Sequence, residues 1–270
     1  MAQNRLRARK RFGQNFLQDE MVIADIVGAI DPDTDQHLVE IGPGHGAITQ
    51  HLVSACQRLD VVEIDRDLIP LLQTKLGHYP QLHIYEADAL TFDYTKLVLD
   101  DAPLRVIGNL PYNITTPLLF HLLAQSHCIT DMCFMLQNEV VDRICAQPGS
   151  KTYGRLSIMM QYQCEATKLF TVFPDAFIPM PKVDSAIIYI KPLSERIGGG
   201  LPIKALNKVV TQAFSMRRKT ISNTLKSIMS LSVLEQLDID FKQRPETISV
   251  EDYVAIAQAW LAEQDDVKLP

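Results

Sequence analysis

The chain has 270 residues, of which 47% are hydrophobic, so it can bury one sizeable core and still form a smaller second domain. Its formal net charge of −6 argues, as an average, against a nucleic-acid partner. No apolar run reaches the roughly 18 residues that a membrane span needs, so we expect a soluble protein with no membrane partner.

The charge is distributed unevenly along the chain. Residues 1–18 contain five basic and no acidic residues, and residues 203–226 contain six basic and no acidic residues, whereas the rest of the chain has 15 basic against 32 acidic residues. Two basic segments on an acidic body indicate directed contact with a polyanion, although a solvated tail and an ordinary helix face are an alternative. The basic residues are Arg5, Arg7, Arg9, Lys10, Arg11, Lys204, Lys208, Arg217, Arg218, Lys219 and Lys226.

Targeting and metal-binding signals are weak. No apolar signal-type core follows the amino-terminal arginines, although a mitochondrial transit peptide is an alternative interpretation of them. The five cysteines are an odd, scattered set without a Cys-x-x-Cys pair, which predicts buried thiols in a reducing cytoplasm. The seven histidines are equally dispersed, so we expect no metal site.

Apolar patterning predicts alternating helices and strands over the first half of the chain. Residues 21–30 have helical spacing, and residues 38–41 form a short apolar run typical of a buried strand. Further strands are predicted at residues 59–64, 82–85, 104–107 and 132–136, and further helices at residues 47–56, 68–76 and 117–123. This alternation predicts an α/β fold with a parallel sheet.

The carboxyl-terminal part changes character. Two more predicted strands, residues 166–170 and 186–190, are joined by a proline-rich link and indicate a hairpin at the sheet edge. Residues 198–202 are the strongest linker signal, and the residues after them have helical periodicity. We therefore predict a sheet domain over residues 1–193 and a small all-helical domain over residues 203–270.

Residues 39–46, with the sequence Val-Glu-Ile-Gly-Pro-Gly-His-Gly, join a predicted strand to a predicted helix. Glycines at this point let a ligand approach the backbone closely. Glu63 closes the next predicted strand, where an acidic side chain can accept hydrogen bonds from ribose hydroxyls. The pattern predicts a nucleotide site, although NAD-binding domains share it and a purely structural turn is an alternative.

Two further motifs follow the ends of neighbouring predicted strands. Asp88 can accept a hydrogen bond from an adenine amino group. The second motif is the turn Asn109, Leu110, Pro111 and Tyr112, which offers an amide carbonyl, a backbone carbonyl beside proline and a stacking ring. This set could hold a planar amine, although an ordinary strand-ending turn is an alternative. Because we find no hydride-transfer residue, we favour S-adenosylmethionine over a dinucleotide as cofactor.

At these residues the chain resembles the bacterial ribosomal RNA adenine N6,N6-dimethyltransferase family, over nearly its whole length. The resemblance implies a Rossmann-like class I methyltransferase domain at residues 1–193 with a basic arm, and an RNA-binding helical domain at residues 203–270. The matching motifs are Gln14-Asn15-Phe16-Leu17, Ile41-Gly42-Pro43-Gly44, Glu63-Ile64-Asp65, Asp88-Ala89, Asn109-Leu110-Pro111-Tyr112, Pro181-Lys182-Val183-Asp184-Ser185 and Arg217-Arg218-Lys219-Thr220.

The resemblance also implies roles for single residues. Asn15 and Leu17 would contact the methionine part of S-adenosylmethionine, and Gly42 would lie along it. Asn109 would hold the target amine and also contact the cofactor, with Tyr112 stacking. Phe177 would face the other side of the base, although a core phenylalanine is an alternative. RNA phosphates would contact the basic residues, namely Arg9, Lys10, Arg11, Arg217, Arg218 and Lys219.

The implied reaction is dimethylation of two adjacent adenosines near the 3′ end of small-subunit ribosomal RNA, by a monomeric cytoplasmic enzyme that binds the ribosomal particle. One residue departs from the family pattern, because Ser222 stands where relatives often have a basic residue. Two alternatives stay open. One is a resistance-type methyltransferase of large-subunit RNA, and the other is a ribosome-assembly or RNA-binding factor that does not need the chemistry.

Overall fold

The computed structural model describes residues 14–100, 102–216 and 218–266, with the side chains of residues 265 and 266 left aside. The predicted RNA contacts at Arg9, Lys10, Arg11 and Arg217 lie outside these residues. The chain divides into two compact units. The first contains the residues up to Val141 together with Thr167–Pro192, and the second contains Asp142–Ala166 together with the residues from Leu193 onward.

This division resembles the predicted one at its carboxyl-terminal end, near residue 193. The two differ in residues 142–166, which belong to the second unit although they precede the last strands of the sheet. Within this segment a helix, Arg155–Gln161, buries Ile158, Met159 and Met160. Burial of these apolar side chains in the second unit explains why the segment groups with it.

The first unit is built on a seven-stranded sheet that confirms the predicted α/β class. In chain order the strands of the molecule are β1 Phe16–Leu17, β2 His37–Ile41, β3 Arg58–Glu63, β4 Leu82–Glu86, β5 Leu104–Asn109, β6 Ile129–Gln137, β7 Cys164–Val172, β8 Phe177–Ile178 and β9 Ser185–Pro192. The sheet order is β4-β3-β2-β5-β6-β9-β7, and β1 pairs with β8 in a separate two-stranded sheet.

Strand direction follows from the sequence pattern. The pairs among β2 to β6 are parallel, and β9 lies antiparallel to β6 with β7 beyond it at the edge. All five residues of β2 are buried, as expected of a central parallel strand with both faces covered. Strands β9 and β7 therefore extend the edge of the sheet as predicted.

Helices of the first unit connect these strands. They are α1 Glu20–Ile30, α2 Thr49–Leu52, α3 Ile69–Leu76 and α4 Thr115–Ala124. The side chain of Asp19 caps α1 by accepting hydrogen bonds from the backbone N–H groups of Met21 and Val22. The helix predicted over residues 47–56 is wrong in length, because only Thr49–Leu52 is α-helical and the residues on both sides form turns.

The remaining helices are α5 Asn138–Ile144, α6 Arg155–Gln161, α7 Ile203–Ala213, α8 Ile221–Leu225, α9 Leu231–Leu234 and α10 Val250–Asp266. Helix α7 buries Ala205, Leu206, Val209, Val210 and Ala213, the spacing of one helix face. In the second unit the indole N–H of Trp260 donates to the Ile228 carbonyl over 3.1 Å. No helix within the described residues is both long and apolar enough to cross a membrane.

Candidate active site

A cavity of about 280 Å³ lies at the carboxyl ends of the parallel strands. Parallel strands end at one edge of the sheet, and ligands of open α/β sheets bind there. The structure brings all the predicted cofactor residues together in the lining of this cavity. They are Asn15, Leu17, Gly42, Glu63, Asp88 and Asn109, and the lining also includes Leu110, Pro111 and Tyr112.

The glycine loop after β2 brings backbone into contact with this cavity. Gly42 and Gly44 have φ angles of 66° and 59°, a region that favours glycine. A Cβ atom on Gly44 would lie 3.3 Å from the Phe16 ring, so a side chain there would be crowded as well as strained. The Gly42 N–H donates to the Val62 carbonyl over 2.9 Å and ties the loop to β3.

Glu63 ends β3 with a buried carboxylate whose orientation is set by backbone donors. Its Oε1 atom accepts from the Asp65 N–H over 2.8 Å, and its Oε2 atom accepts from the Gly44 N–H over 3.4 Å. Burial raises the pKa of Glu63, and these hydrogen bonds oppose that rise. The carboxylate thus faces the glycine loop from the neighbouring strand, which is the arrangement expected of a ribose acceptor.

Asp88 follows β4 and is exposed. One of its oxygens accepts from the Leu90 N–H over 2.9 Å, which holds the carboxylate in a tight turn at the cavity lining. Ile64 also lines the cavity and has 48% of its surface exposed, an apolar contact suited to a flat ring. The sequence analysis gave Ile64 no role, although it lies between two acids of a quoted motif.

The structure selects between the carbonyl groups of the turn after β5. The Pro111 carbonyl already accepts hydrogen bonds from the Ile114 N–H and the Thr115 hydroxyl, both over 3.2 Å. The Leu110 N–H is bound to the Met135 carbonyl over 3.1 Å, which anchors the turn to β6. The backbone acceptor predicted beside the proline is therefore best assigned to Leu110.

Asn109 is tied to the amino-terminal segment. Its side-chain amino group donates to the Asn15 carbonyl over 3.2 Å. Because this bond uses the amino group of the amide, it directs the amide oxygen, the predicted acceptor, away from Asn15. Two predicted cofactor residues from distant parts of the sequence are thereby held together.

Tyr112 is half-buried, and its hydroxyl is within 2.9 Å of the Ser185 hydroxyl. Burial raises the pKa of the Tyr112 hydroxyl above its ordinary value. Ser185 begins β9 and is buried, so this bond fixes the tyrosine ring from a rigid strand. Ser185 ends the matching family motif at residues 181–185 but was not among the predicted site residues.

Phe177 lies in the hydrophobic core rather than among the residues that line the cavity. It is 2% exposed and pairs with Leu17 between β8 and β1. This position agrees with the alternative of a core phenylalanine. A contact between Phe177 and a target base stays a prediction, and the structure offers no exposed face of this ring to support it.

The basic residues of the second unit lie on its surface. Arg218 and Lys219 are exposed in a turn between a short 3-10 helix, Phe214–Met216, and α8. The expectation that a helix presents them is wrong, because the chain turns before α8 begins at Ile221. Ser222 lies in the first turn of α8, where its hydroxyl is 3.1 Å from that of Thr220.

Helix α7 of the same unit carries two exposed lysines, Lys204 and Lys208. Between them, the Asn207 side chain accepts from the guanidinium of Arg155 over 3.2 Å. The sequence analysis missed Arg155, because residues 142–166 were assigned to the sheet domain. The second unit thus adds one more cation to the predicted basic stretch.

The charge of the cavity constrains its ligand. Among its described lining residues, Glu40, Glu63 and Asp88 carry carboxyl groups, and none is a lysine or arginine. The pyrophosphate of a dinucleotide would meet carboxyl groups there and no lysine or arginine among the described lining residues. S-adenosylmethionine fits better because its sulfonium and ammonium groups are cationic, so the residues present suit this cofactor. No cluster of three metal-ligating side chains occurs within the described ranges.

Two solved structures share this fold. A dimethyladenosine transferase from Plasmodium falciparum has a TM-score of 0.73 at 24% identity, covering 93% of this chain and 98% of that chain. The 23S rRNA methyltransferase ErmE has a TM-score of 0.72 at 24% identity, covering 91% of this chain and 99% of that chain. The sheet order and the cavity at its carboxyl edge define a class I methyltransferase fold.

Sequence comparison shows to which family of methyltransferases the chain belongs. The family described as ribosomal RNA adenine dimethylase matches residues 5–261. A ribosomal RNA small subunit methyltransferase A from Hahella chejuensis is 53% identical over 250 residues, covering 93% of this chain and 92% of the relative. The chain belongs to the ribosomal RNA adenine dimethylase family, which confirms the resemblance found in the sequence.

Proposed function

We propose that this protein uses S-adenosylmethionine to dimethylate N6 of two adjacent adenosines in the 3′-terminal hairpin loop of small-subunit (16S) ribosomal RNA. Its family membership and the naming of its relatives as small-subunit methyltransferases support this activity. The observation that carries the proposal is the shared cavity. The turn at residues 109–112 lines the same space as the glycine loop, Glu63 and Asp88.

The cofactor has a definite orientation in this proposal. Glu63 accepts hydrogen bonds from its ribose, and Asp88 accepts one from its adenine amino group, with Ile64 against the ring. Asn15, Leu17 and Gly42 contact the methionine end. When bound, the cofactor would supply an electrophilic methyl group, whose bond to sulfur would break as the bond to N6 forms, leaving S-adenosylhomocysteine.

The residues of the turn after β5 prepare the adenine nitrogen for attack. The N6 lone pair is delocalised into the ring, so the amine is a poor nucleophile until its geometry changes. The Asn109 amide oxygen and the Leu110 carbonyl accept hydrogen bonds from its two N–H groups and favour a pyramidal nitrogen, while Tyr112 stacks on the base. The alkylated nitrogen can lose its proton to water, so the mechanism requires no dedicated general base.

Positioning therefore supplies most of the catalysis. Correct alignment of two reacting groups is worth roughly 7 to 11 kcal/mol, and this gain is lost progressively if the base moves in its site. The Asn109–Asn15 and Tyr112–Ser185 hydrogen bonds limit such movement.

The basic segments bind the phosphates around the target loop. The second unit has four exposed cations, Lys204, Lys208, Arg218 and Lys219. The sequence provides four more basic residues for this role, namely Arg217 and, in the amino-terminal arm, Arg9, Lys10 and Arg11. An adenine in a stacked loop must leave the stack before its amine can reach a methyl donor. Phosphate contacts hold the RNA in register while one base enters the site.

The decisive test is methyl transfer to ribosomal particles. Small-subunit particles from cells lacking the protein should accept tritiated methyl groups, and large-subunit particles should not. Preferential labelling of large-subunit RNA would instead establish the resistance-type activity. The Asn109→Ala variant should bind cofactor almost normally and lose transfer, while Gln73→Ala, an exposed amide on α3, should behave as wild type.

A role in assembly of the small subunit can accompany the enzymatic role. We propose that the protein acts as a monomer in the cytoplasm, and its four buried cysteine thiols, Cys56, Cys128, Cys133 and Cys164, suit a reducing compartment. Four of the cysteines are buried and Cys145 is partly exposed.

Mass spectrometry of small-subunit RNA from cells lacking the protein should show loss of the dimethyladenosine pair. Rescue of growth by Asn109→Ala would show that assembly is the essential contribution.

A further inference from the structure

Glu40 is a buried acid to which the proposed chemistry gives no role. It lies in β2, directly before the glycine loop, and its side chain is among those that line the cofactor cavity. Only 2% of the residue is exposed. Its Oε2 atom has no hydrogen-bond partner within the part of the chain that the structure describes. An isolated buried carboxylate oxygen is costly unless a ligand compensates for it.

The groups around Glu40 do not compensate for its charge. Glu63 on β3 repels it, and the nearby Thr49 hydroxyl favours the carboxylate but has no hydrogen-bond partner of good geometry among the described residues. The other titratable side chains that line the cavity are His45, Asp88 and Tyr112. Burial is the main reason that the pKa of Glu40 rises to about 7, repulsion by Glu63 adds to it, and Thr49 opposes it.

We propose that Glu40 is the counter-ion for the cationic methionine end of S-adenosylmethionine, and that it releases a proton when this cofactor binds. The inference rests on the proposed function. In the free protein the Glu40 carboxyl group, with its pKa raised to about 7, is partly protonated at neutral pH. A cation entering the cavity favours the carboxylate, the O–H bond breaks, and the proton passes to the solvent.

Comparison of two ligands distinguishes the effect of the positive charge from the effects of the adenine and the ribose. S-adenosylmethionine carries an ammonium and a sulfonium group, whereas 5′-methylthioadenosine keeps the adenine, the ribose and a neutral thioether. Both ligands place a ribose beside Glu63 and an adenine beside Asp88. Only the first brings positive charge to Glu40, so only its binding should be linked to ionisation of this residue.

The test is isothermal titration calorimetry of the full chain at pH 6.5, in two buffers with different ionisation enthalpies. A group with a pKa near 7 is about three-quarters protonated at this pH, so S-adenosylmethionine should release about 0.7 proton. Its affinity should rise about eightfold between pH 6 and pH 7.5, a range in which the α-amino group of the cofactor keeps most of its own proton. Glu40→Gln should abolish both effects, and 5′-methylthioadenosine should show neither.

Matched variants identify the source of the proton. Glu86→Gln removes an exposed carboxylate at the end of β4, outside the cavity lining, and should leave proton release as in wild type. His45→Gln removes the imidazole of the same cavity, which could also exchange a proton, and should likewise retain it. Binding of 5′-methylthioadenosine by Glu40→Gln shows that this variant is folded.

Three results would overturn the inference. They are cofactor binding without proton release, equal release by Glu40→Gln, and equal release on binding of 5′-methylthioadenosine, which would point to Glu63. A wild-type protein that does not bind S-adenosylmethionine at all would remove the proposed function as well, so the two failures can be told apart.

Discussion

Replacing Glu40 by glutamine should stabilise the free protein, and the gain should depend on pH. The pKa of Glu40 rises from 4.5 to about 7 on folding, because the carboxyl group is buried. The folded protein therefore holds this proton more tightly than the unfolded chain does. The resulting stability is present below pH 4.5 and is lost as the pH rises through 7.

Each unit of pKa shift corresponds to about 1.4 kcal/mol, so wild type loses about 3 kcal/mol by pH 8 but only about 1 kcal/mol by pH 5. Glutamine has a similar shape and no charge, so it avoids this loss. The free energy of unfolding of Glu40→Gln should exceed that of wild type by these amounts, less any difference between glutamine and neutral glutamic acid in the same pocket.

Urea unfolding of the free protein at pH 5, 6, 7 and 8 measures the effect, with Glu86→Gln as the control for loss of an exposed carboxylate. The decisive quantity is the widening of the difference between the two proteins as the pH rises. A constant difference, or a Glu40→Gln protein that is less stable at pH 8, would show that the Glu40 carboxylate has a compensating partner. The argument for an uncompensated buried charge would then fail.

Other substitutions test the roles of single contacts. Ser185→Ala and Tyr112→Phe each remove a hydrogen bond worth about 1 kcal/mol, so each should lower kcat about fivefold with cofactor affinity unchanged. The double variant should be no slower than either single variant, and additive losses would refute the link between the two side chains. Glu63→Ala should weaken cofactor binding before it affects transfer, and unchanged calorimetric affinity would contradict the ribose contact. Neutralising Arg218 and Lys219 should reduce the slope of log K for RNA binding against log salt concentration by about 0.7 to 0.9 per lost phosphate contact, as measured by fluorescence anisotropy. An unaltered slope would exclude that turn from the interface.

The sequence alone was sufficient to predict the α/β class, the approximate positions of the strands of the seven-stranded sheet and several residues of the cavity lining. Central parallel strands are buried on both faces, so they appear as apolar runs, as in β2 and β5. Their carboxyl ends must meet at one edge, so residues that follow different strands can be assigned to a common site. Glu63, Asp88 and Asn109 were found by this reasoning because each stands at or just after the end of a strand.

Local pattern was a weaker guide where tertiary contacts decide. The helix predicted at residues 47–56 is only four residues long, Thr49–Leu52, and turns lie on both sides of it. Periodicity also gave no indication that residues 142–166 belong with the second unit. The basic residues Arg218 and Lys219 lie in a turn within a stretch that was read as helical.

Only the tertiary structure could decide the finer features of the site. Asn15 reaches Asn109, and Ser185 reaches Tyr112, across chain separations that no local pattern encodes. Whether Glu40 has a partner likewise depends on side chains from several strands at once. Propensity and apolar spacing act over a few residues and determine the elements and their order. Burial, hydrogen bonding and charge compensation act between elements, and they determine which side chains meet.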